Sequence, residues 1–273
     1  MEKGVYALLG EAGIELRAGS RTYRPLISLP HFEVKILKPQ NIVEMLHVGS
    51  RDLGFAGADW VAELDANLVA LLDTELDPVK VVAAAPVTLL NNGELPKRPL
   101  LVASEYERLT KHWIKARGMD AQFVRSYGAT EVFPPEDADC IVDNSATGST
   151  LRANGLEIVA TLMTSSTKLY ANPKAMDDPK KREPIERFVL LVRSVLDARR
   201  RVMLEVNVAP EHLEKLISVL PCMRQPTISS LHDEAGYAVK AAVPRADLTK
   251  LIPDIKACGG TDIVVTNISQ LVA

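Results

Sequence analysis

The stretch Cys140–Val159, CIVDNSATGSTLRANGLEIV, decides the fold class. Cys140 to Val142 is a short apolar run of strand character that ends on Asp143, and Leu151 opens what reads as a helix. Between them lies a loop of small and hydroxyl residues: Ser145, Thr147, Gly148, Ser149 and Thr150. Apolar strand, glycine-containing loop and helix, in that order, are the unit from which α/β sheets are built. The same order suits a phosphate. Gly148 lets the backbone approach closely, exposed amides and hydroxyls donate, and a helix N-terminus adds partial positive charge. A carboxylate at the strand end is placed to accept from sugar hydroxyls, which a phosphate alone does not require. On this segment by itself the plainer reading stays open: Asp143 caps a turn, and the Ser/Thr/Gly run merely connects strand to helix.

Outward from this stretch the same rhythm continues. Leu100–Ala103 predicts a strand, Tyr106–Arg117 a helix and Gln122–Ser126 a strand. VKVVAAA, Val79–Ala85, is almost continuously apolar, as a strand covered on both faces should be. Further back, Glu33–Leu37 alternates like a strand, Pro39 leads into a helix over Asn41–Gly49, and Leu53–Ala56 predicts a short strand ending at Gly57. The chain opens directly in a helix, with Val5, Leu8, Leu9 and Ala12 on one face and Gly13 as its stop; no strand precedes it. Downstream, Ile158–Leu162 and Thr167–Ala171 are apolar, and the polar run NPKAMDDPKKREP predicts a loop before a long helix from Ile185 to Arg201.

After the basic cluster Arg199–Arg201, which reads as a solvated helix end favoured by the helix dipole, the pattern changes. Strands are expected at Val202–Val208, Thr227–Leu231, Tyr237–Val243 and Asp262–Thr266, with helices at Pro210–Leu220 and Arg245–Ala257. The order βαββαβ over about 70 residues is that of a ferredoxin-like module.

Composition removes several function classes. At 273 residues the chain has room for two or three domains. A formal net charge of −3 gives no electrostatic basis for nucleic-acid binding. No apolar run reaches the roughly 18–20 residues a membrane helix needs, and no export signal is recognisable, so a cytoplasmic protein is expected. Cys140, Cys222 and Cys258 are far apart and in no zinc spacing; they read as buried thiols, and no resident metal site is expected.

Several separated segments resemble, in order, the ATP phosphoribosyltransferase family: Ala12–Leu16 (AGIEL), Leu37–Trp60 (LKPQNIVEMLHVGSRDLGFAGADW), Val81–Pro86 (VVAAAP), Tyr127–Val132 (YGATEV), Ala138–Val159, and Arg224–Leu231 (RQPTISSL). The resemblance covers nearly the whole chain and points to the long form with a C-terminal regulatory domain. It implies an α/β fold with two lobes in a bilobal, periplasmic-binding-protein-like catalytic core: lobe I from residues 1–84 and 172–200, lobe II from 85–171. A ferredoxin-like regulatory domain, 201–273, would follow. The implied reaction joins N1 of ATP to the anomeric carbon of phosphoribosyl pyrophosphate (PRPP), releasing pyrophosphate, as the first step of histidine synthesis with feedback inhibition by L-histidine.

Carried onto this chain, the resemblance implies that Thr147, Gly148, Ser149 and Thr150 cradle the 5-phosphate. Asp143 and Asp139 would serve the ribose hydroxyls and the developing positive charge. Gly128, Ala129, Thr130 and Glu131 would lie beside the same site, although a strand-to-helix turn capped by Thr130 explains them equally. Lys38 and Lys80 would contact phosphates, and Asp52, Gly57 and Asp59 would line the cleft or be ordinary surface-turn residues. Asn207, Thr227, Ser229 and Leu231 would bind histidine, or be alternating strand residues. Mg²⁺ is implied as a substrate-bound ion, and dimers and hexamers as the assembly.

Three departures accompany the resemblance. The family's opening strand and its KGR-like basic loop have no counterpart, since Glu2, Lys3 and Gly4 already start the first helix. Asn144-Ser145-Ala146 precedes the TG turn, and lysines replace the expected arginines at positions 38 and 80. A start assigned too late, or a truncated and weakly active homologue that binds nucleotide or histidine as a regulator, both fit the first departure. A solute-binding protein is the competing class. It has no need of a ribose-phosphate loop or of a ferredoxin-like third domain.

Overall fold

The computed structural model describes residues 1–21 and 23–272. By internal contacts the chain forms two compact units, Met1–Ala7 with Leu16–Glu186, and Leu8–Glu15 with Arg187–Ala273.

The first unit is built on a six-stranded mixed sheet. Its elements in chain order are α1 (Glu2–Glu11, shared between the units), the hairpin β1 (Leu16–Arg21) and β2 (Arg24–Ile27), α2 (Pro39–His47), β3 (Leu53–Gly57), α3 (Ala58–Glu63), β4 (Val69–Pro86), β5 (Leu100–Ser104), α4 (Glu107–Ala116), β6 (Ala121–Arg125), β7 (Cys140–Ser145), α5 (Ser149–Ala153), β8 (Leu156–Ala171), α6 (Pro173–Asp177) and the start of α7 (Pro179–Arg199), whose residues from Arg187 on belong to the second unit. The sheet order is β3-β8-β4-β7-β5-β6. Strands β5, β6 and β7 run parallel, while β4 is antiparallel to both β7 and β8.

The apolar run around Val81–Ala85 is buried on both faces, as its composition predicts. Val81, Ala83, Val102, Cys140 and Val142 pack with Tyr106 and Trp113 on one side; Val82, Ala84, Ala103 and Ile141 pack with Leu151 and Leu156 on the other. Burial pushes the Cys140 thiol up to about 12, so it is an inert core residue.

Four local expectations change. Glu33–Leu37 is no strand. Its alternation is real, with Val34 and Ile36 half-buried between exposed Glu33 and Lys35, but among the described residues its backbone makes one bond, from Ile36 N to Tyr23 O at 3.1 Å, and no ladder. Alternation records one-sided burial, and a ladder also needs a partner. The two expected strands after Ile158 are one, β8, and β4 extends back to Val69; the pair accommodates register shifts near Glu75 and Asp77, both in the left-handed region. The polar run after Asn172 is helical. Asn172 Oδ1 accepts from Lys174 N at 2.8 Å as an N-cap, with Pro173 at the first helical position. Strand β7 runs on to Ser145, which puts Asp143 inside a strand and not at its end.

The second unit has a four-stranded antiparallel sheet of order β10-β11-β9-β12, with β9 Arg201–Val208, β10 Thr227–Ser230, β11 Tyr237–Pro244 and β12 Thr261–Asn267. Helices α8 (Leu213–Val219) and α9 (Leu248–Ala257) complete the ferredoxin-like βαββαβ order. Val202, Leu204, Val206 and Val208 alternate into its core against Leu216, Leu251 and Ile255. Arg199 forms a two-pronged ion pair with Glu11 at 2.9 and 3.1 Å, inside the same unit.

Candidate functional site

Three loops meet at the carboxyl ends of the parallel strands: Glu105–Tyr106 after β5, Ser126–Glu131 after β6, and Ala146–Thr150 after β7. The chain leaves β5 toward β6 on one side and returns to β7 on the other. Neighbouring connections therefore diverge between β5 and β7, and such a switch point opens a crevice for a ligand.

Asp143 on β7 faces this crevice. Its carboxyl is pushed up to about 6, chiefly by burial, against the pull of the Asn144 N–H at 2.7 Å; Glu131 and Glu105 add repulsion from nearby. Glu105 was not among the residues singled out from sequence. No motif marks it, and only the pairing of β5 beside β7 brings it close.

The loop that follows is self-organised. Gly148 N donates to Ser145 Oγ at 2.9 Å, and the Thr147 and Ser149 hydroxyls lie 2.9 Å apart. Gly148 sits at φ +73°, a backbone state that a side chain resists, and a Cβ there would meet Arg152 Nη1 at 2.9 Å. Arg152 Nη2 donates to Thr147 O at 3.0 Å, which holds a guanidinium over the loop; sequence reasoning missed it because it lies past the small-residue run Thr147–Thr150, on α5. Thr147, Ser149 and Thr150 are exposed. Lys80 pairs directly across from Ser145, so its exposed ammonium flanks the start of the loop.

The remaining candidates divide. Gly128 and Ala129 form a left-handed turn, at φ +100° and +48°, beside Glu105 and Glu131. Thr130 is 1% exposed and its hydroxyl lies 2.7 Å from Ser126 Oγ, so it fastens the turn from inside. Asp139 is not brought to the crevice. It lies before the opposite end of β7, with Oδ2 accepting from Leu101 N at 2.8 Å and Oδ1 from Arg98 Nη2 at 2.7 Å. Burial works against its ionised form, but the Arg98 guanidinium and the Leu101 N–H outweigh this and hold the carboxyl below its ordinary value.

Asp59 is likewise internal. Oδ1 accepts from Ser165 Oγ and Oδ2 from Tyr106 OH, both at 2.6 Å, which leaves it no face for a substrate. Gly57 serves that carboxylate, since a Cβ at 57 would stand 2.2 Å from Asp59 Oδ1. Asp52 pairs with Lys181 at 2.9 Å, and Lys38 is the exposed N-cap residue of α2.

In the second unit, Ser229, Ala238 and Asn207 are cross-strand partners in one row over β10, β11 and β9, on the sheet face away from the helices. Thr227 lies two residues along the same face, and Leu231 follows β10. Asn207 Nδ2 donates to Asp262 Oδ2 at 3.0 Å, which adds a carboxylate that no sequence pattern had marked.

No helix among the described residues is long and apolar enough to cross a membrane. The family model described as ATP phosphoribosyltransferase matches residues 38–194, and that for the C-terminal domain of the same family matches residues 198–270. The ATP phosphoribosyltransferase of Pelotomaculum thermopropionicum is 34% identical over 100% of this chain and 96% of its own; that of Chlorobium chlorochromatii is 36% identical over 97% and 92%. The fold is also similar to a chain in the solved ATP phosphoribosyl transferase (HisG:HisZ) complex from Thermotoga maritima, with TM-score 0.64 and 23% identity, over 72% of this chain and 94% of that one.

Proposed function

From the premise that this chain belongs to the ATP phosphoribosyltransferase family, the enzymes of the first step of histidine biosynthesis, we propose that it joins N1 of ATP to the anomeric carbon of PRPP in the crevice at the ends of β5, β6 and β7. The observation that carries this reading is Asp143 at the mouth of the Ser145–Thr150 loop, with Glu105 and Glu131 nearby. The loop's hydroxyls and amides, with Arg152 and Lys80, would hold the 5-phosphate. Asp143 would accept from the ribose hydroxyls. As pyrophosphate departs with the bond's electron pair, positive charge grows at the anomeric carbon, and preorganised carboxylates stabilise it there without forming a covalent bond. The N1 lone pair then closes the new bond. Alignment of two bound substrates supplies most of the acceleration, so no nucleophilic side chain is needed.

Mg²⁺ would arrive on PRPP and neutralise the leaving pyrophosphate. Among the described residues no group of three or more His, Cys, Asp or Glu side chains could hold a metal ion, so the ion's oxygen ligands would come chiefly from the substrate's phosphates and water. Asp139 is left out of this mechanism because its carboxylate is committed to Arg98 and Leu101.

Regulation by L-histidine is proposed at the Ser229–Ala238–Asn207 row, where hydroxyl, amide and the Asp262 carboxylate suit an amino acid's charged groups. A homo-oligomer, dimer or hexamer, is proposed as the working form. The test is pyrophosphate release with ATP, PRPP and Mg²⁺, each omitted in turn. Release that needs both substrates is expected; release without ATP would contradict the reading.

A further inference from the structure

Asp59 and Glu63 stand one turn apart on α3, 5% and 7% exposed, and both carboxylates reach the turn at residues 106–109. Glu63 accepts from Arg108 N and Leu109 N at 3.0 Å each, satisfying N–H groups that the start of α4 leaves open. Asp59 Oδ2 accepts a hydrogen bond from the Tyr106 hydroxyl, which keeps its proton. The oxygen of Tyr106, thus oriented, accepts from Asn144 Nδ2 at 3.0 Å, and the backbone N–H of Asn144 donates to Asp143 Oδ1. Burial first, and Asp59 next, raise the Tyr106 phenol far above its ordinary value, so it remains a donor to Asp59 at any working pH. The ring, 1% exposed, is fixed further by stacking on Trp60 with centroids 4.7 Å apart.

We propose that Tyr106 is a positioning residue for the reaction: held by Asp59, it fixes Asn144 and so the strand end from which Asp143 and the phosphate loop project. It touches no substrate. The proposal rests on the reaction read above, and it assigns Asp59 a role other than lining the cleft.

The test compares steady-state kinetics of the full chain with Tyr106→Phe, Asn144→Ala, the double variant, and Glu63→Gln. Phe keeps the Trp60 stack and the core packing, and loses only the hydroxyl. Tyr106→Phe should raise the KM for PRPP about tenfold, the order of one lost hydrogen bond within a charged network. It should leave the KM for ATP near its wild-type value and lower the thermal midpoint, because the buried Asp59 carboxylate loses a donor. Asn144→Ala should match it, and the double variant should be no worse than either single change, because both act through one contact. Glu63→Gln should lower the thermal midpoint without changing the KM for PRPP. An unchanged KM for PRPP in Tyr106→Phe or Asn144→Ala, or losses that multiply in the double variant, would overturn the proposal while leaving the reaction standing. Wild-type protein that releases no pyrophosphate would overturn the reaction and, with it, this role.

Discussion

Asp143 and Asn144 are neighbours on β7 that face opposite sides of the six-stranded sheet. Asp143 lies opposite Val82, on the face packed by Leu151 and the phosphate loop, whereas Asn144 reaches Tyr106 on the Trp113 face. Strand alternation separates them. One dipeptide therefore joins the proposed ribose contact to a buried scaffold that runs through Tyr106 to Asp59.

The raised carboxyl of Asp143 sets a pH dependence. With a value of about 6 in the fold and an ordinary value of about 3.9 in the unfolded chain, the protonated form is favoured on folding. Its stabilising contribution is complete below the unfolded value and is lost as pH rises through about 6. Asp143→Asn should therefore be more stable than wild type at pH 8, by on the order of 2 kcal/mol, as read by chemical denaturation. Its activity should be low at every pH. In the wild type, kcat/KM for PRPP should fall on the acid side with an apparent value near 6, the free-enzyme carboxyl.

Gly148 tests the loop. Gly148→Ala meets both the left-handed backbone and the Arg152 guanidinium, and should weaken PRPP binding with a loss of about 1–2 kcal/mol in stability. Gly148→Glu adds a repelling charge and should abolish PRPP binding by calorimetry while the circular dichroism spectrum stays native. Unchanged affinity would remove the 5-phosphate from this loop.

Asp139→Asn separates scaffold from chemistry. The folded carboxyl is depressed, so its stabilisation is present above the ordinary carboxylate value and is lost as pH falls through the folded value. The variant should melt below wild type at pH 7, with the difference shrinking under acid. The KM for PRPP should not change. A large loss of kcat at full stability would return Asp139 to the active site.

Asn207→Ala with Ser229→Ala should weaken L-histidine binding about tenfold or more, since two polar contacts are removed. Pyrophosphate release without histidine should remain as in wild type. Thermodynamic reciprocity requires that any histidine effect on substrate affinity be matched by an equal effect of substrate on histidine affinity, which calorimetry can read from both sides.

The motif at Cys140–Val159 was legible because strand, acid and loop are consecutive in sequence, and the ferredoxin-like order because each of its elements carries its own period. What escaped was mostly side chains whose role is set across the sheet. Asp59 reads as a cleft residue from its motif, yet its partner Ser165 lies 106 positions away and Tyr106 47 away. Glu105 and Arg152 gain their places only through strand pairing and a helix turn. Glu33–Leu37 misled for a physical reason: one-sided burial imposes alternation on any extended segment, paired or not. The polar run after Asn172 hid a helix whose cap and N1 proline were visible but read as loop chemistry.

The most direct measurement follows the bond itself. ATP labelled with ¹⁵N at N1 and PRPP labelled with ¹³C at the anomeric carbon are incubated with the protein and Mg²⁺, and the product is examined by NMR. A one-bond coupling between the two labels, present with wild type and lost with Gly148→Glu, is the predicted result. Pyrophosphate released with no such coupling, or coupling that survives Gly148→Glu undiminished, would contradict phosphoribosyl transfer to N1 at this loop.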